Sequence, residues 1–325
     1  MTTHTDSLPG MGLGGTPDQP DSPSVGGAEP TDSGVSPKKR RTKKAKPPQS
    51  VVCTFAEYQQ IPGVNWSSLK HIAKSPLHYK HHKEQPPEDT AAFMGGRLFH
   101  SAVLEPDRLP LDYAVWTGAR RAGAEWEQFK AAHAGRTIVK TEEYREVLAM
   151  RDAIRAHRPA SRLLTGGEPE RSITWNDPET GLWCKGRIDF LRPDGFVDLK
   201  RTANLDERRF GNTAHDLAYH MQFAFYARGL KALGMESPKV WMVAVEGSEP
   251  YDVAAFEVDE GAIATGDEKV SELLALLADC EKRKRWPGRY PEETKWFLPG
   301  WAYTDSDEDF TSGMGLTIGT TGGAA

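Results

Sequence analysis

Gly186-Arg187-Ile188-Asp189-Phe190-Leu191-Arg192-Pro193-Asp194-Gly195-Phe196-Val197-Asp198-Leu199-Lys200 reads as two β-rich runs joined by a turn signal. In the second run Phe196, Asp198 and Lys200 share one face and Val197 and Leu199 the other, because strand side chains alternate. If Pro193-Asp194 is a two-residue turn, Arg192 pairs with Gly195 and Asp189 comes opposite Asp198. Cross-strand Cβ atoms lie about 4.5 to 5.5 Å apart, so two carboxylates there repel unless a cation lies between them. The pattern predicts a divalent metal, and oxygen ligands favour Mg²⁺ or Mn²⁺ over zinc. A three-residue Pro-Asp-Gly loop would shift the register by one and turn Asp189 to the opposite face. The pairing therefore depends on the short turn or on a compensating bulge, and an exposed hairpin with solvated charges is the competing reading.

Outward from this hairpin, Arg171 to Trp175 and Leu182 to Leu191 are separated by the turn signal Asp177-Pro178-Glu179-Thr180-Gly181, which extends the pair to an antiparallel meander. Upstream the chain reads as helical. Asn65 or Ser67 can cap a helix through Ile72, Ser75-Pro76 can open another, and Ala91 to Leu104 has helical spacing that must stop before Pro106. Glu125 to His133 and Thr141 to His157 are further helices. Downstream the pattern predicts a long helix from Thr213 to Leu233, strands at Val240 to Val245 and Tyr251 to Val258, and a last helix from Lys269 to Trp286. Helices, strands, a helix and more strands predict an α/β (α+β) core with a mixed central sheet flanked by helices.

The 325 residues carry a formal charge of -5, which excludes a uniformly basic nucleic-acid coat and leaves room for a local basic site. Residues 1 to 50 hold five acids and seven bases, the latter all between Lys38 and Lys46. Their Gly, Pro, Ser and Thr content offers too little apolar surface to offset chain entropy. We expect a disordered tail over 1–50, a single domain over 51–301, and a second tail over 302–325, acidic and then Gly/Thr-rich. The basic run can track phosphates, act as a nuclear signal or be a solvated tether. No membrane span and no secretory leader are indicated, so a cytoplasmic protein is expected. Cys53, Cys184 and Cys280 are too few and too far apart for an iron-sulfur cluster or a zinc site.

Two further segments bear on chemistry. Gly95-Gly96-Arg97-Leu98-Phe99-His100 places a histidine on an otherwise apolar helix face, where a hydrogen-bonded core residue competes with a ligand. In Tyr219-His220-Met221-Gln222-Phe223-Ala224-Phe225-Tyr226, Gln222 and Tyr226 are four apart on one helix face.

In this order, the G-x-x-x-H helix, the GRID strand, the VDLK strand and the Q-x-x-x-Y helix resemble the PD-(D/E)XK nucleases of the RecB/lambda-exonuclease branch, with a restriction-endonuclease-like core. Within that branch the closer resemblance is to the RecE-like exodeoxyribonuclease VIII domain of phage and prophage recombination systems, from about Trp66 to Pro291. The resemblance implies that Asp189, Asp198, His100 and the Leu199 carbonyl hold Mg²⁺, with Mn²⁺ able to substitute. It implies that Lys200 orients the attacking water, and that Gln222 and Tyr226 support the site or contact a phosphate. Glu170 matches a family glutamate, with Glu168 as competitor. Ile188 stands where the family name has proline, a departure that removes no ligand. The implied activity is 5′ to 3′ digestion of linear double-stranded DNA, with a RecT-like annealing protein as partner and a homo-oligomeric ring, in a bacterial cytoplasm. A structure- or site-specific endonuclease and a catalytically silent DNA-binding module are the alternatives.

Overall fold

Pro193 and Asp194 form the two-residue turn that the sheet is built around. Arg192 pairs with Gly195, Leu191 with Phe196 and Phe190 with Val197, all antiparallel, in this computed structural model, which describes residues 47–85 and 90–302. A Cβ on Gly195 would fall 1.8 Å from the Lys239 carbonyl oxygen, so the turn must be followed by glycine. Apart from residues 47–50 and 302, the expected tails lie outside the described residues.

In chain order the elements are β1 (Gln49–Val51), α1 (Phe55–Gln60), α2 (Trp66–Leu69), α3 (Pro76–Glu84), α4 (Ala91–Leu104), α5 (Leu109–Asp112), β2 (Tyr113–Trp116), α6 (Ala124–Ala132), β3 (Thr137–Lys140), α7 (Thr141–Ala156), α8 (Arg158–Leu163), β4 (Glu168–Asn176), β5 (Trp183–Arg192), β6 (Gly195–Thr202), α9 (Glu207–Asp216), α10 (Tyr219–Ala232), β7 (Lys239–Glu246), β8 (Val253–Glu257) and α11 (Glu260–Arg283). The main sheet runs β1-β4-β5-β6-β7-β8. The expected meander is its centre, β6 and β7 are parallel, and the remaining pairs are antiparallel, which makes the sheet mixed. Strands β2 and β3, unforeseen in the sequence, form a separate parallel pair.

Both faces of the sheet are covered. On one side Ile173, Trp175, Ile188 and Phe196 pack with Phe223, Phe225 and Leu274 of α10 and α11 and with Leu69 and Ile72 near α2. On the other side Phe190, Val197, Leu199 and Val243 pack with Leu98, Phe99, Met150 and Ile154 of α4 and α7. Double burial explains why β7 reads as a continuous apolar run, Val240-Trp241-Met242-Val243-Ala244-Val245. Helix α10 reaches the sheet through Gly229, where an added Cβ would lie 2.5 Å from Ile173 Cδ1 and 2.8 Å from the Trp175 ring. Gly229→Ala is therefore expected to cost about 1 to 2 kcal/mol in urea unfolding, the overpacking outweighing the better helix propensity of alanine. An unchanged midpoint would show that the helix can shift.

The long helix expected from Thr213 to Leu233 is two helices. They part at Ala218, which takes a left-handed backbone, φ 55°. That conformation is costly for a residue with a Cβ, and neither glycine nor proline marks it. The break gives α10 its own start at Tyr219, beside the site described below. The final helix begins at Glu260, nine residues earlier than expected, capped by Asp259 accepting from the Ala262 N–H at 3.1 Å. Its weak helix former Gly266 sits there because a Cβ would be 2.3 Å from the His220 carbonyl oxygen.

Candidate active site

Strands β5 and β6 part at the residue pair where the sequence placed two carboxylates. The ladder ends at Phe190 with Val197, so Asp189 and Asp198 occupy facing register positions without forming a ladder pair. The β4–β5 ladder is interrupted at the same place: Pro169 pairs with Phe190 and Arg171 with Ile188, with no pair between Glu170 and Asp189. Glu170 has φ 52°, a conformation that persists in a non-glycine residue only where surrounding contacts impose it. Side-chain alternation also breaks here, since Ile188 packs on the α10 side and Phe190, two residues on, packs on the α4 side.

The consequence is a division of the two aspartates. Asp189 joins His100 of α4 and Glu170 of β4, with one ligand atom from each residue lying within 4.8 Å of the others. His100 Nδ1 is 3.5 Å from Asp189 Oδ1 and 3.6 Å from Glu170 Oε1. Asp189 Oδ2 accepts a hydrogen bond from the Leu199 N–H at 2.8 Å. Asp198, 1% exposed, instead belongs with α10: its Oδ1 accepts from Gln222 Nε2 at 3.1 Å, and its Oδ2 faces the Lys200 ammonium. Lys200 Nζ also donates to Gln222 Oε1 at 3.2 Å and lies 4.6 Å from the Tyr219 ring centroid. Gln222 Nε2 is 3.4 Å from Tyr226 Oη. The Tyr226 ring lies over Gly186, where a Cβ would approach it to 3.0 Å, which accounts for the glycine of the GRID strand.

Each residue singled out in the sequence thus reaches this end of the sheet, except Glu168, which is exposed and pairs with Arg171. The sequence reading missed Arg187 and Tyr219. The Arg187 guanidinium donates to Glu170 Oε2 at 2.5 Å, to the Cys53 carbonyl at 2.9 Å and to Ser172 Oγ at 3.2 Å. Its position two residues before Asp189, on the same strand face, was the available signal.

A mixed set of two carboxylates and an imidazole suits a hard to borderline divalent cation. The buried Asp198 Oδ2 has the Lys200 ammonium as its partner, which leaves that carboxylate acceptor capacity beside the cluster. Without a cation His100 and Asp189 hold protons more tightly than usual. Burial works to lower the His100 pKa, but the nearby Asp189 and Glu170 carboxylates outweigh it and raise it to about 9. Burial, with Asp198 and Glu170 adding to it and His100 opposing it, pushes Asp189 up to about 7. Burial of Glu170 is outweighed by His100 and Arg187, so that carboxyl falls below its usual value. Burial would also depress Lys200, yet Asp198 and Asp189 hold it above the ordinary lysine value.

These directions give a pH test. Folded His100 and Asp189 both bind protons more tightly than in the unfolded chain, so their stabilising effect is full at low pH and lost as pH rises through about 7 and about 9. In EDTA the melting temperature is expected to fall between pH 6 and pH 9.5. Saturating Mn²⁺, which binds the deprotonated groups, should flatten that fall and release protons detectable by calorimetry in buffers of different ionisation enthalpy. His100→Ala should abolish most of the proton release. A flat melting profile in EDTA would contradict the assigned cluster.

Beside the cluster, between α1, α4 and β4, opens a cleft of about 770 Å³ lined by His100, Glu170, Arg187, Arg97, Phe55 and Tyr113 among others. Among the described residues no helix is long and apolar enough to cross a membrane. Comparison with solved structures finds a similar chain, a protein from Eubacterium rectale named "Putative exonuclease", at 14% identity and TM-score 0.48, covering 76% of this chain and 97% of that one. No curated protein matches. Residues 65–295 match a family described as a PDDEXK-like domain of unknown function (DUF3799), a span that takes in the cluster, the Asp198–Lys200 pair and both helices that frame them. With a mixed six-stranded sheet and more than half of its length matched, the chain belongs to this PDDEXK-like family.

Proposed function

We propose that the chain is a Mg²⁺-dependent exodeoxyribonuclease of the RecE-like, exodeoxyribonuclease VIII kind, which digests linear double-stranded DNA from 5′ ends and leaves 3′ single strands. The observation that carries this reading is the convergence of His100, Glu170 and Asp189 beside the buried Asp198–Lys200 pair, where β5 and β6 part. Family membership supports the nuclease class.

In this reading each residue has a part, the Leu199 carbonyl by resemblance alone. His100, Glu170 and Asp189 hold the cation, and Asp198 and the Leu199 carbonyl complete its surroundings; Mn²⁺ can replace Mg²⁺. A divalent cation in such a site neutralises scissile-phosphate charge and activates water for attack. Lys200 directs a positive donor at the phosphate oxygens and orients the attacking water. Gln222 fixes Asp198 and Lys200 through one amide, and Tyr226 fixes Gln222. The DNA product would pass to a single-strand annealing protein of the RecT kind, with the nuclease a ring of identical subunits in a bacterial cytoplasm.

The test is incubation of purified protein with end-labelled linear and closed-circular duplex DNA, in Mg²⁺ or EDTA. Digestion of the linear form alone, from its 5′ ends and only in Mg²⁺, is the expected result. Nicking of the circle would replace this reading with an endonuclease, and binding without cleavage would replace it with a silent module.

A further inference from the structure

On the α10 side of the sheet, where Lys200 Nζ lies 5.8 Å from the Phe223 ring centroid, α2, α3 and the turn between them contribute Leu69 and Ile72 to the buried cluster that holds Phe223. From Tyr58 to Lys83 the chain has no acidic residue, and between Lys70 and Lys83 it carries four lysines and four histidines, in a protein whose net charge is -5. Apolar anchors fix this segment in place: Leu69 and Ile72 are buried with Phe223 of α10, and the Trp66 ring lies 6.4 Å from Phe225. The cations are left outward. Lys70, Lys74, His82 and Lys83 are exposed, and His71 stacks on His82 at 4.0 Å between ring centroids.

The charges in this segment act on one another rather than on acids. Burial and then His82, Lys70 and Lys74 push His71 down to about 4. His82 is lowered by burial and then by Lys83 and Lys70. The His71–His82 stack ties α3 to the turn after α2, so Lys70, Lys74 and Lys83 stand on one basic face, on the side of the sheet where Lys200 Nζ lies near the Phe223 ring. Among the described residues no carboxylate pairs with Lys70, Lys74 or Lys83; Glu84, the first acid beyond the run, pairs with Lys80 at 3.8 Å. Like charges gathered without counter-ions are unfavourable in the free protein and become favourable against a polyanion.

We infer that the α2–α3 face is the phosphate-tracking surface along which a DNA strand runs into the active site. The inference rests on the nuclease reading, because that reading supplies the polyanion. Tracking requires no base contact, so this surface would be indifferent to sequence.

The experiment is fluorescence anisotropy of a labelled linear duplex with the full chain in EDTA, over a salt series, comparing wild type with Lys70→Gln/Lys74→Gln/Lys83→Gln. Each lost phosphate contact should lower the slope of log affinity against log salt by about 0.9, so a drop of about 2 to 3 and at least tenfold weaker binding at low salt are expected. The corresponding triple arginine variant should restore both. If the triple glutamine variant fails to fold, Lys70→Gln/Lys74→Gln should give a drop approaching 2. Wild-type slope and affinity in a folded glutamine variant would overturn the surface while leaving the nuclease reading intact. A wild type that binds no DNA at any salt would overturn the nuclease reading and the surface with it.

Discussion

Asp198→Asn is expected to lower Mg²⁺-dependent cleavage by about 1,000-fold or more, equivalent to about 4 kcal/mol of barrier. The substitution keeps the side-chain shape and can keep the Gln222 hydrogen bond to Oδ1, but it removes a charge from an atom that has no other role than to face cations. The variant should fold and melt at lower temperature. Lys200, only 14% exposed at its side chain, loses its direct counter-ion, and an uncompensated buried partner costs about 3 to 5 kcal/mol in comparable pairs. Cleavage and melting measured on one preparation check both parts. A folded variant retaining a tenth of the wild-type rate would remove Asp198 from the site.

Lys200→Met should lose turnover by at least about 100-fold, the scale seen when one preorganised donor to developing charge is removed. Asp198→Asn should weaken metal binding, and Lys200→Met should not. The ammonium competes with a cation for Asp198 and raises the electrostatic cost of bringing one in, so Mn²⁺ affinity by calorimetry should be retained or increased. Loss of metal binding equal to that of Asp198→Asn would assign Lys200 a different role. The two substitutions should not add. The double variant removes both charges of the pair and should be more stable than the sum of the single losses implies, by about 1 kcal/mol or more, as expected for residues in direct contact.

The register of the central hairpin was readable because it depends on local chemistry, a Pro-Asp turn followed by a glycine that the neighbouring strand demands. The alternation of Val197, Asp198, Leu199 and Lys200 held for the same reason, and the four-residue spacing of Gln222 and Tyr226 placed both on the face that meets β6. The departure of Asp189 from the simple ladder was not readable. It depends on Glu170 taking a left-handed backbone with no glycine to announce it, and on His100 arriving from α4, 89 positions before Asp189 in the sequence. Distant contacts impose that geometry on a segment whose own preferences are those of an ordinary strand. The same holds at Ala218, where a helix breaks without a breaker residue so that Tyr219 can start α10 beneath the Lys200 ammonium. Arg187 was overlooked because an arginine on a strand face is unremarkable until its carboxylate partner is placed. In this protein, local pattern marked the candidate residues and long-range contacts decided which side of the sheet each one faces.

The most direct measurement is anomalous diffraction from crystals of the full chain soaked in Mn²⁺, recorded at the manganese absorption edge. The expected result is a peak bounded by His100 Nδ1 and the Glu170 and Asp189 carboxylates, on the side open to Asp198. A protein that cleaves linear DNA with Mn²⁺ in solution, yet shows its manganese elsewhere or none at these residues, would contradict the assignment of this cluster as the metal centre.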